Sequence, residues 1–233
     1  MSSKLSRRVL NEKFDCYGHF YRIMVNDSKL ECCRSVLEIV TKTTKFMDLA
    51  DLSIRKPDLL VIMMNPGSSK PEELNYHGEE IKADSFKMDF KKKVLVKAEP
   101  DDTQYFIQQI MLERKFKHSR ILNLSDIRLV NSNQLNKRIR NFEKYTKNKV
   151  HSIFSLERRN ELQFALNINK RTPVILAWGR NDFRKKYAKM ALEQVHSFNC
   201  FGINTTNKKE LYYHPSRHKD WVLKILEQLE NIE

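Results

Sequence analysis

Residues 59–69 form the stretch LLVIMMNPGSS. Its first six residues are all apolar, and Pro57 and Pro66 bound the run. A short, uninterrupted apolar run between two prolines predicts a strand buried on both faces, as the central strands of parallel sheets are. The run ends at Asn65, whose amide is followed by a proline, a glycine and two hydroxyl side chains. Because ligands of parallel sheets bind at the carboxyl ends of strands, these polar groups indicate a functional loop.

Strands and helices alternate along the rest of the chain, which predicts an α/β fold with a mainly parallel, four-stranded sheet. The other three strands are predicted at residues 120–124, 173–179 and 200–204. Helices are predicted to begin at Asp101 or Asp102, to lie around residues 135–145 and 153–168, and to cover residues 182–195 and 221–229.

The N-terminal segment, residues 1–50, is predicted to add a strand or hairpin and a helix to this core. Residues 14–25 are aromatic and β-branched, which favours strands. Ser28 is a candidate N-cap for a helix that runs towards Ala50. With only five glycines and six prolines there is no linker rich in those residues, so we expect one domain over residues 1–233 with its core at 57–220.

The composition favours a polyanionic partner. The chain has 43 Lys and Arg against 29 Asp and Glu, a formal net charge of +14. Nucleic acid is the leading candidate and an anionic membrane surface the second. The basic residues are spread along the chain, which indicates a charged face on a folded body rather than a basic tail.

The sequence gives no sign of a membrane span, a leader or a cofactor. No apolar run approaches the roughly 20 residues that cross a bilayer, and the N-terminus has no apolar signal segment, so we expect a cytoplasmic protein. The four cysteines form no C-x-x-C pair, so no metal site, cofactor or disulfide framework is expected. Nothing indicates oligomerisation, and we expect a monomer.

Four short motifs stand at the predicted strand ends, and together they resemble the uracil-DNA glycosylase superfamily. They are Asn65-Pro66-Gly67 after the first strand, Asn123 closing the second, Trp178-Gly179 with a basic helix after it, and His214-Pro215-Ser216. The resemblance covers roughly residues 57–220 in outline, and its first motif is most similar to the mismatch-specific branch. It implies a three-layer α/β/α fold and an enzyme that hydrolyses the N-glycosidic bond of a flipped base in DNA, leaving an abasic site.

The resemblance also implies roles for individual side chains. Asn65 would position the attacking water, and His214 would donate a hydrogen bond to the departing base. Asn123 would read the Watson–Crick edge of a flipped pyrimidine, with Gly67 beside the base and Phe86 stacked on it. The implied DNA-binding residues are Ser68, Ser69, Ser216, Arg217 and His218, the last two at the place of the family's duplex-probing wedge.

Two departures from the family pattern bear on mechanism and substrate. Asn65 can hold a water but cannot take its proton, so chemistry is expected to be slow unless Asp84 or Asp126 joins the site. Gly67 stands where the strict uracil enzymes carry a tyrosine that blocks the pyrimidine C5 position. We therefore expect tolerance of a 5-substituted base, and removal of modified bases from viral DNA is one role that such an activity would serve.

Other readings of the same residues stay open. Asn-Pro-Gly is also an ordinary turn, and His214 alone would fit a surface histidine. A non-catalytic nucleic-acid-binding protein with the same fold, or a hydrolase of free nucleosides or nucleotides, would share these motifs. Charge alone does not separate DNA from RNA.

Overall fold

The computed structural model describes residues 5–26, 29–46, 48–205 and 207–230. The described residues form an α/β fold with seven α-helices and eleven strands. The helices are α1 Arg7–Lys13, α2 Leu49–Ile54, α3 Asp102–Glu113, α4 Ser132–Thr146, α5 Arg159–Ala165, α6 Lys185–Val195 and α7 Trp221–Leu229. The strands are β1 Phe14–Asn26, β2 Lys29–Thr41, β3 Leu59–Met63, β4 Lys70–Pro71, β5 Glu79–Lys82, β6 Val96–Glu99, β7 His118–Asn123, β8 Val174–Leu176, β9 Cys200–Phe201, β10 Asn204–Thr205 and β11 Lys208–Tyr212. Within these ranges no helix has the length and apolar character that a membrane crossing requires.

The main sheet is mixed and has nine strands, in the order β4-β6-β1-β2-β7-β3-β8-β9 with β5 beside β1. A four-stranded, mainly parallel sheet is therefore not confirmed. The four strands predicted for it, β7, β3, β8 and β9, are parallel neighbours in one half of the sheet. The other half is built on β1 and β2, which pair antiparallel with each other, and β2 pairs antiparallel with β7.

Strand β3 is buried on both faces, as its sequence predicts. Leu59, Leu60, Val61 and Ile62 all have 0% exposure. Leu60 and Ile62 pack on one face with α2, α4, α5 and α6, which we call the α4 face. Leu59 and Val61 pack on the opposite face with α1, α3 and α7, the α3 face. A strand covered on both sides needs no alternation of polar and apolar residues, which is why the run is continuous.

The chain leaves β3 and β8 in opposite directions. From β3 it passes through α3 on the α3 face and returns to β7 on one side. From β8 it passes through α6 on the α4 face to β9 on the other side. Opposite directions with helices on opposite faces are what right-handed crossovers require. The loops that follow β3 and β8 consequently diverge, and a crevice opens between these loops at the carboxyl ends of the two strands.

The predicted helix between Ser28 and Ala50 is wrong for residues 29–41, which form β2; Ser28 itself lies outside the described residues. The segment contains two valines, one isoleucine, two leucines and two cysteines, and both of its edges pair with other strands, β1 and β7. Pairing with distant strands overrides the local cap signal, because the ladder buries side chains on both faces of β2.

A buried ion pair joins β2 to β7 on the α4 face. Arg120 Nε donates to Glu38 Oε1 over 2.6 Å, and His118 Nε2 lies 2.7 Å from the other carboxylate oxygen. The guanidinium also donates to the carbonyls of Ser53 and Ala165, which ties β7 to the C-terminal ends of α2 and α5. Burial acts to raise the pKa of Glu38, but the charge of Arg120 and the bonds from His118 outweigh it and lower that pKa.

Replacing Glu38 by alanine is expected to destabilise the protein by about 3–5 kcal/mol, because Arg120 would be left as an uncompensated buried charge. Since the pKa of Glu38 is lowered, the contribution of the pair is present above the ordinary value of 4.5 and is lost as the pH falls below it. Urea denaturation at pH 7 and pH 4 measures both effects. Glu12→Ala is the control, because Glu12 pairs with Arg8 on the exposed surface and its loss should cost under about 0.5 kcal/mol.

Candidate functional site

A cleft of about 770 Å³ lies at the carboxyl ends of β3 and β8, where the chain directions diverge. It brings together six of the side chains or backbone positions predicted from the sequence: Asn65, Gly67, Ser68, His214, Ser216 and Arg217. The structure adds further lining residues that the sequence did not single out, among them Asp101, Gln104, Leu129, Val130, Arg184 and Tyr213. Loops from distant parts of the chain therefore converge on one site.

Asn65 is held in one orientation by the loop after β7. Its Nδ2 donates to the carbonyl oxygens of Leu129, over 2.8 Å, and Ile127, over 3.4 Å. Two carbonyl acceptors at one end of the side chain fix the amide nitrogen there. The amide oxygen Oδ1 is consequently left as the acceptor for a water or ligand in the cleft.

His214 is neutral and carries its ring proton on Nε2. Burial, followed by the nearby charges of Arg184 and Arg217, lowers the pKa of His214 to about 4. The backbone N–H of Ser216 donates to Nδ1 over 3.4 Å, and the Ser216 hydroxyl lies 3.0 Å from the same nitrogen. With Nδ1 occupied as an acceptor, the proton of the neutral ring is on Nε2. The imidazole can therefore donate one hydrogen bond at physiological pH.

Gly179 allows the two sides of the cleft to meet. It has a φ of +90°, and its N–H donates to the carbonyl of Tyr212 over 2.7 Å, which anchors the end of β11 just before His214. A Cβ at this position would lie 3.2 Å from Arg184 Nη1. Trp178 beside it is fully buried and donates from Nε1 to the carbonyl of Glu210, so it packs the core and holds β11.

One wall of the cleft is cationic. Arg180, Arg184 and Arg217 line it, and the Arg180 guanidinium stacks 4.3 Å from the ring centroid of Tyr213. Burial, then the charge of Arg217, lowers the pKa of Arg184 to about 10, so this side chain is still charged at neutral pH. The wall is suited to an anionic ligand such as a phosphate backbone.

The opposite wall carries Asp101 and Asp102, at the start of α3. Asp101 is the N-cap, as its position before an amphipathic segment predicts, and Oδ1 accepts from the backbone N–H of Thr103 over 2.9 Å. Asp102 forms an ion pair with Arg7 over 2.6 Å at the surface. Asp101 is thus the carboxylate that remains directed at the cleft.

The space expected beside Gly67 is occupied by Asp101. Gly67 has a φ of +64°, and a Cβ built on it would lie 2.5 Å from Asp101 Oδ2. Glycine is needed here for the backbone conformation and for this close approach. The pocket beside Gly67 is therefore lined by a carboxylate instead of being simply enlarged.

Four predicted site residues lie away from the cleft lining. Phe86 is the clearest correction, because it packs in the core of the α4 face, 6.1 Å from Tyr21 and 5.0 Å from the Arg158 guanidinium, beside a second cavity. Ser69 is 1% exposed, and its carbonyl accepts from Arg128. His218 packs edge-on against Tyr213, 5.0 Å between ring centroids.

The fourth, Asn123, lies directly under the cleft. It has 0% exposure, and both amide atoms lack a hydrogen-bond partner among the described residues. It pairs in register with Met63, which lines the cleft, and parallel partners share a face of the sheet. The Asn123 amide therefore lies on the same face of the sheet as Met63, buried beneath the cleft lining.

Neither carboxylate proposed to assist Asn65 reaches the cleft. Asp84 is exposed at the start of the loop that leads to Phe86. Asp126 is fully buried, bonded to Arg158 over 2.6 Å and to the Tyr21 hydroxyl over 2.8 Å. The carboxylates that line the cleft are instead Asp101 and Asp102, whose local signal in the sequence was that of a helix start.

Comparison with known proteins finds no matching family model for the chain. Searches of curated proteins and of solved structures find no significant match either. The geometry of the cleft is therefore the main basis on which a function can be assigned.

Gly67→Ala is expected to lower the free energy of unfolding by about 1–2 kcal/mol, because alanine at positive φ is strained and its methyl group would displace the Asp101 carboxylate. Chemical denaturation measures the loss. Ser68→Ala, at the exposed next position, should stay within about 0.5 kcal/mol of the wild type. Equal stability of both variants would contradict the close approach of Gly67 and Asp101.

Proposed function

We propose that the protein is a DNA glycosylase that hydrolyses the N-glycosidic bond of a flipped, 5-substituted pyrimidine and leaves an abasic site. The observation that carries the proposal is that one cleft is lined by both an oriented Asn65 amide and a neutral His214. The sequence resemblance to uracil-DNA glycosylases, with the three-layer fold it implies, supports the same activity. Action in the cytoplasm, and a role in defence against DNA with modified bases, belong to the proposal.

The chemistry needs a positioned water and a stabilised leaving group. The C1′–N1 bond breaks with its electron pair going to the base, through an oxocarbenium-like state at the sugar. Asn65 Oδ1 would hold the attacking water, and His214 Nε2 would donate to a carbonyl oxygen of the base as negative charge develops there. A neutral donor suffices for this, because the hydrogen bond strengthens as the acceptor becomes anionic.

The surroundings of these two residues suit DNA. Arg180 and Arg217 would take phosphate oxygens at the mouth of the cleft, with the hydroxyls of Ser68 and Ser216 beside them. The net charge of +14 would supply the sequence-independent attraction. A 5-substituent next to Gly67 would meet the Asp101 carboxylate, which favours a substituent that donates a hydrogen bond over a purely apolar one.

The experiment is incubation with single- and double-stranded DNAs that carry uracil, methylated, hydroxymethylated or other modified pyrimidines. Alkali cleavage reports abasic sites, and mass analysis identifies the released base. We expect release of at least one 5-substituted pyrimidine. Release from free nucleosides or nucleotides but not from DNA would favour the nucleotide hydrolase. If no base is released from any substrate and DNA is still bound, the function is non-catalytic nucleic-acid binding.

Asn65→Ala and His214→Ala are each expected to lower single-turnover base release by about 10²–10³-fold, the usual loss for a transition-state hydrogen bond. DNA affinity should change by less than about threefold, since neither side chain is a cation. Fluorescence anisotropy measures the binding. His196→Ala is the control, because His196 is exposed at the far end of α6 and its Nδ1 lies 2.8 Å from the nearby Glu193 carbonyl oxygen. A loss of release in that variant would contradict the assignment.

The pH dependence of base release should lack a histidine titration near neutrality. Because the pKa of His214 is lowered to about 4, the neutral donor form persists from alkaline pH down to that value and is lost only below it. Single-turnover rates between about pH 5.5 and pH 8.5 should therefore not fall on the acid side. A drop with a midpoint near the ordinary value of 6.5, with the fold intact by circular dichroism, would contradict this environment for His214.

A further inference from the structure

Arg34 is a fully buried arginine, and two of its three guanidinium nitrogens lack hydrogen-bond partners among the described residues. Its exposure is 0%, and Nε and Nη1 have no partner among the described residues. Burying a cation without paired donors costs several kcal/mol. Such a cost is expected where a group serves a ligand.

An irregularity in β2 turns this side chain towards the α3 face. The register with β1 shifts between His19, opposite Val36, and Phe20, opposite Arg34, so that Ser35 is the extra residue of a bulge. Val36 packs in the core of the α4 face, and Ser35 Oγ accepts from the buried Lys93 on the same side. Arg34 is then the next residue of β2 on the α3 face, beside Phe20. Bulges commonly redirect a side chain near a site in this way.

The neighbours of Arg34 on that face form a polar layer at the floor of the cleft. Leu37 of β2 lies opposite Ile121, so the next residue of β7 on this face is Asn123, with both amide atoms unpartnered. Gln108 of α3 covers the layer, with Oε1 also unpartnered and Nε2 bonded to Cys16 Sγ over 3.6 Å. These polar side chains have 0% exposure where apolar packing would be expected.

The charge of Arg34 is retained. Burial lowers its pKa to about 10; the Asp101 and Asp126 carboxylates attract the guanidinium, and Arg128 repels it. Asp101 caps α3 through Oδ1 and places Oδ2 beside Gly67, and Asp126 bonds Arg158 on the other side of the sheet, so neither carboxylate forms a direct ion pair with Arg34 among the described residues. The layer thus offers a permanent positive charge and free donors, which suits a planar group that is rich in acceptors or becomes anionic.

Met63 covers this layer on the cleft side. It lines the cleft, is 3% exposed and pairs in register with Asn123. A methionine side chain is unbranched and adapts its shape at low cost. A flat base entering from the cleft can therefore displace it and reach the polar layer.

We propose that Arg34 contacts the departing pyrimidine beside Asn123 and stabilises it as an anion, an inference that rests on the proposed glycosylase activity. The C1′–N1 bond breaks and its electron pair is delocalised over N1 and the carbonyl oxygens of the base. The oxygen of water bonds to C1′ and the water releases one proton to solvent, while the base anion takes up one proton from solvent, so that one water is consumed for each base released. Arg34 keeps its own proton throughout. The residue lies in the N-terminal hairpin, outside the stretch that resembles the glycosylases.

The test is single-turnover release from DNAs whose target bases differ in N1 acidity, such as fluorinated, brominated, unsubstituted and methylated uracils. Arg34→Met is expected to lower the rate of release by about 10²–10³-fold for the least acidic bases and by about tenfold or less for the most acidic ones. Arg34→Lys, which keeps the charge, should restore most of the rate. Arg34→Gln removes the charge but keeps donors, and it replaces Arg34→Met if that variant does not fold.

A purely structural role predicts a different pattern. With a purely structural role, Arg34→Met would lower the release rate of every base by the same factor and would lower the melting temperature. That result would overturn the proposal. We expect Arg34→Met to melt at or above the wild-type temperature, because an unpaired buried charge is replaced by an apolar side chain. If the wild type releases a base and Arg34→Met releases it at the same rate, the role of Arg34 is rejected but the glycosylase activity is not. No release by the wild type from any DNA would reject the glycosylase activity itself.

Discussion

The structure depends on one constraint, the burial of β3 on both of its faces and along both of its edges. Residues Leu59 to Ile62 have no exposed surface, and the strand pairs with β7 on one side and β8 on the other. A strand in this position forces helices onto both faces and sends the chain away in opposite directions on either side of it. The cleft is the direct consequence, because the loops after β3 and β8 diverge where Asn65 and Gly179 stand.

The two faces of the sheet differ in how their buried charged side chains are paired. On the α4 face, Arg120 is paired with Glu38, and Arg158 with Asp126 and Glu161, at distances of 2.6 Å. The first pair joins two strands, and the pairs of Arg158 join the start of α5 to the loop after β7. On the α3 face, Arg34 forms no ion pair of this kind within the described residues, and its Nε and Nη1 have no hydrogen-bond partner there. The Asp101 carboxylate attracts it without such a direct pair. A buried cation held in this way beneath a cleft is suited to a ligand that supplies the missing acceptors.

Three groups in the cleft are each held by a contact from a different loop. The two carbonyls that hold Asn65, the backbone N–H that fixes the His214 tautomer and the carboxylate that lies against Gly67 come from three different loops. Each sets the orientation or charge state of a group that would otherwise vary. The polarity of the pocket beside Gly67, more than its size, is what would select the substituent of a bound base.

The local features could be predicted from the sequence. The apolar run of residues 59–64, a helix start at Asp101 or Asp102 and the polar strand end at Asn65 each depend on neighbours within a few positions. The pairing of residues 29–41 as a strand, the core position of Phe86 and the approach of the Asp101 carboxylate to Gly67 could not be predicted in this way. The same holds for the burial of Arg34 and the neutral state of His214. These follow from contacts between residues far apart in the chain, and desolvation and strand pairing have no signature in a local pattern.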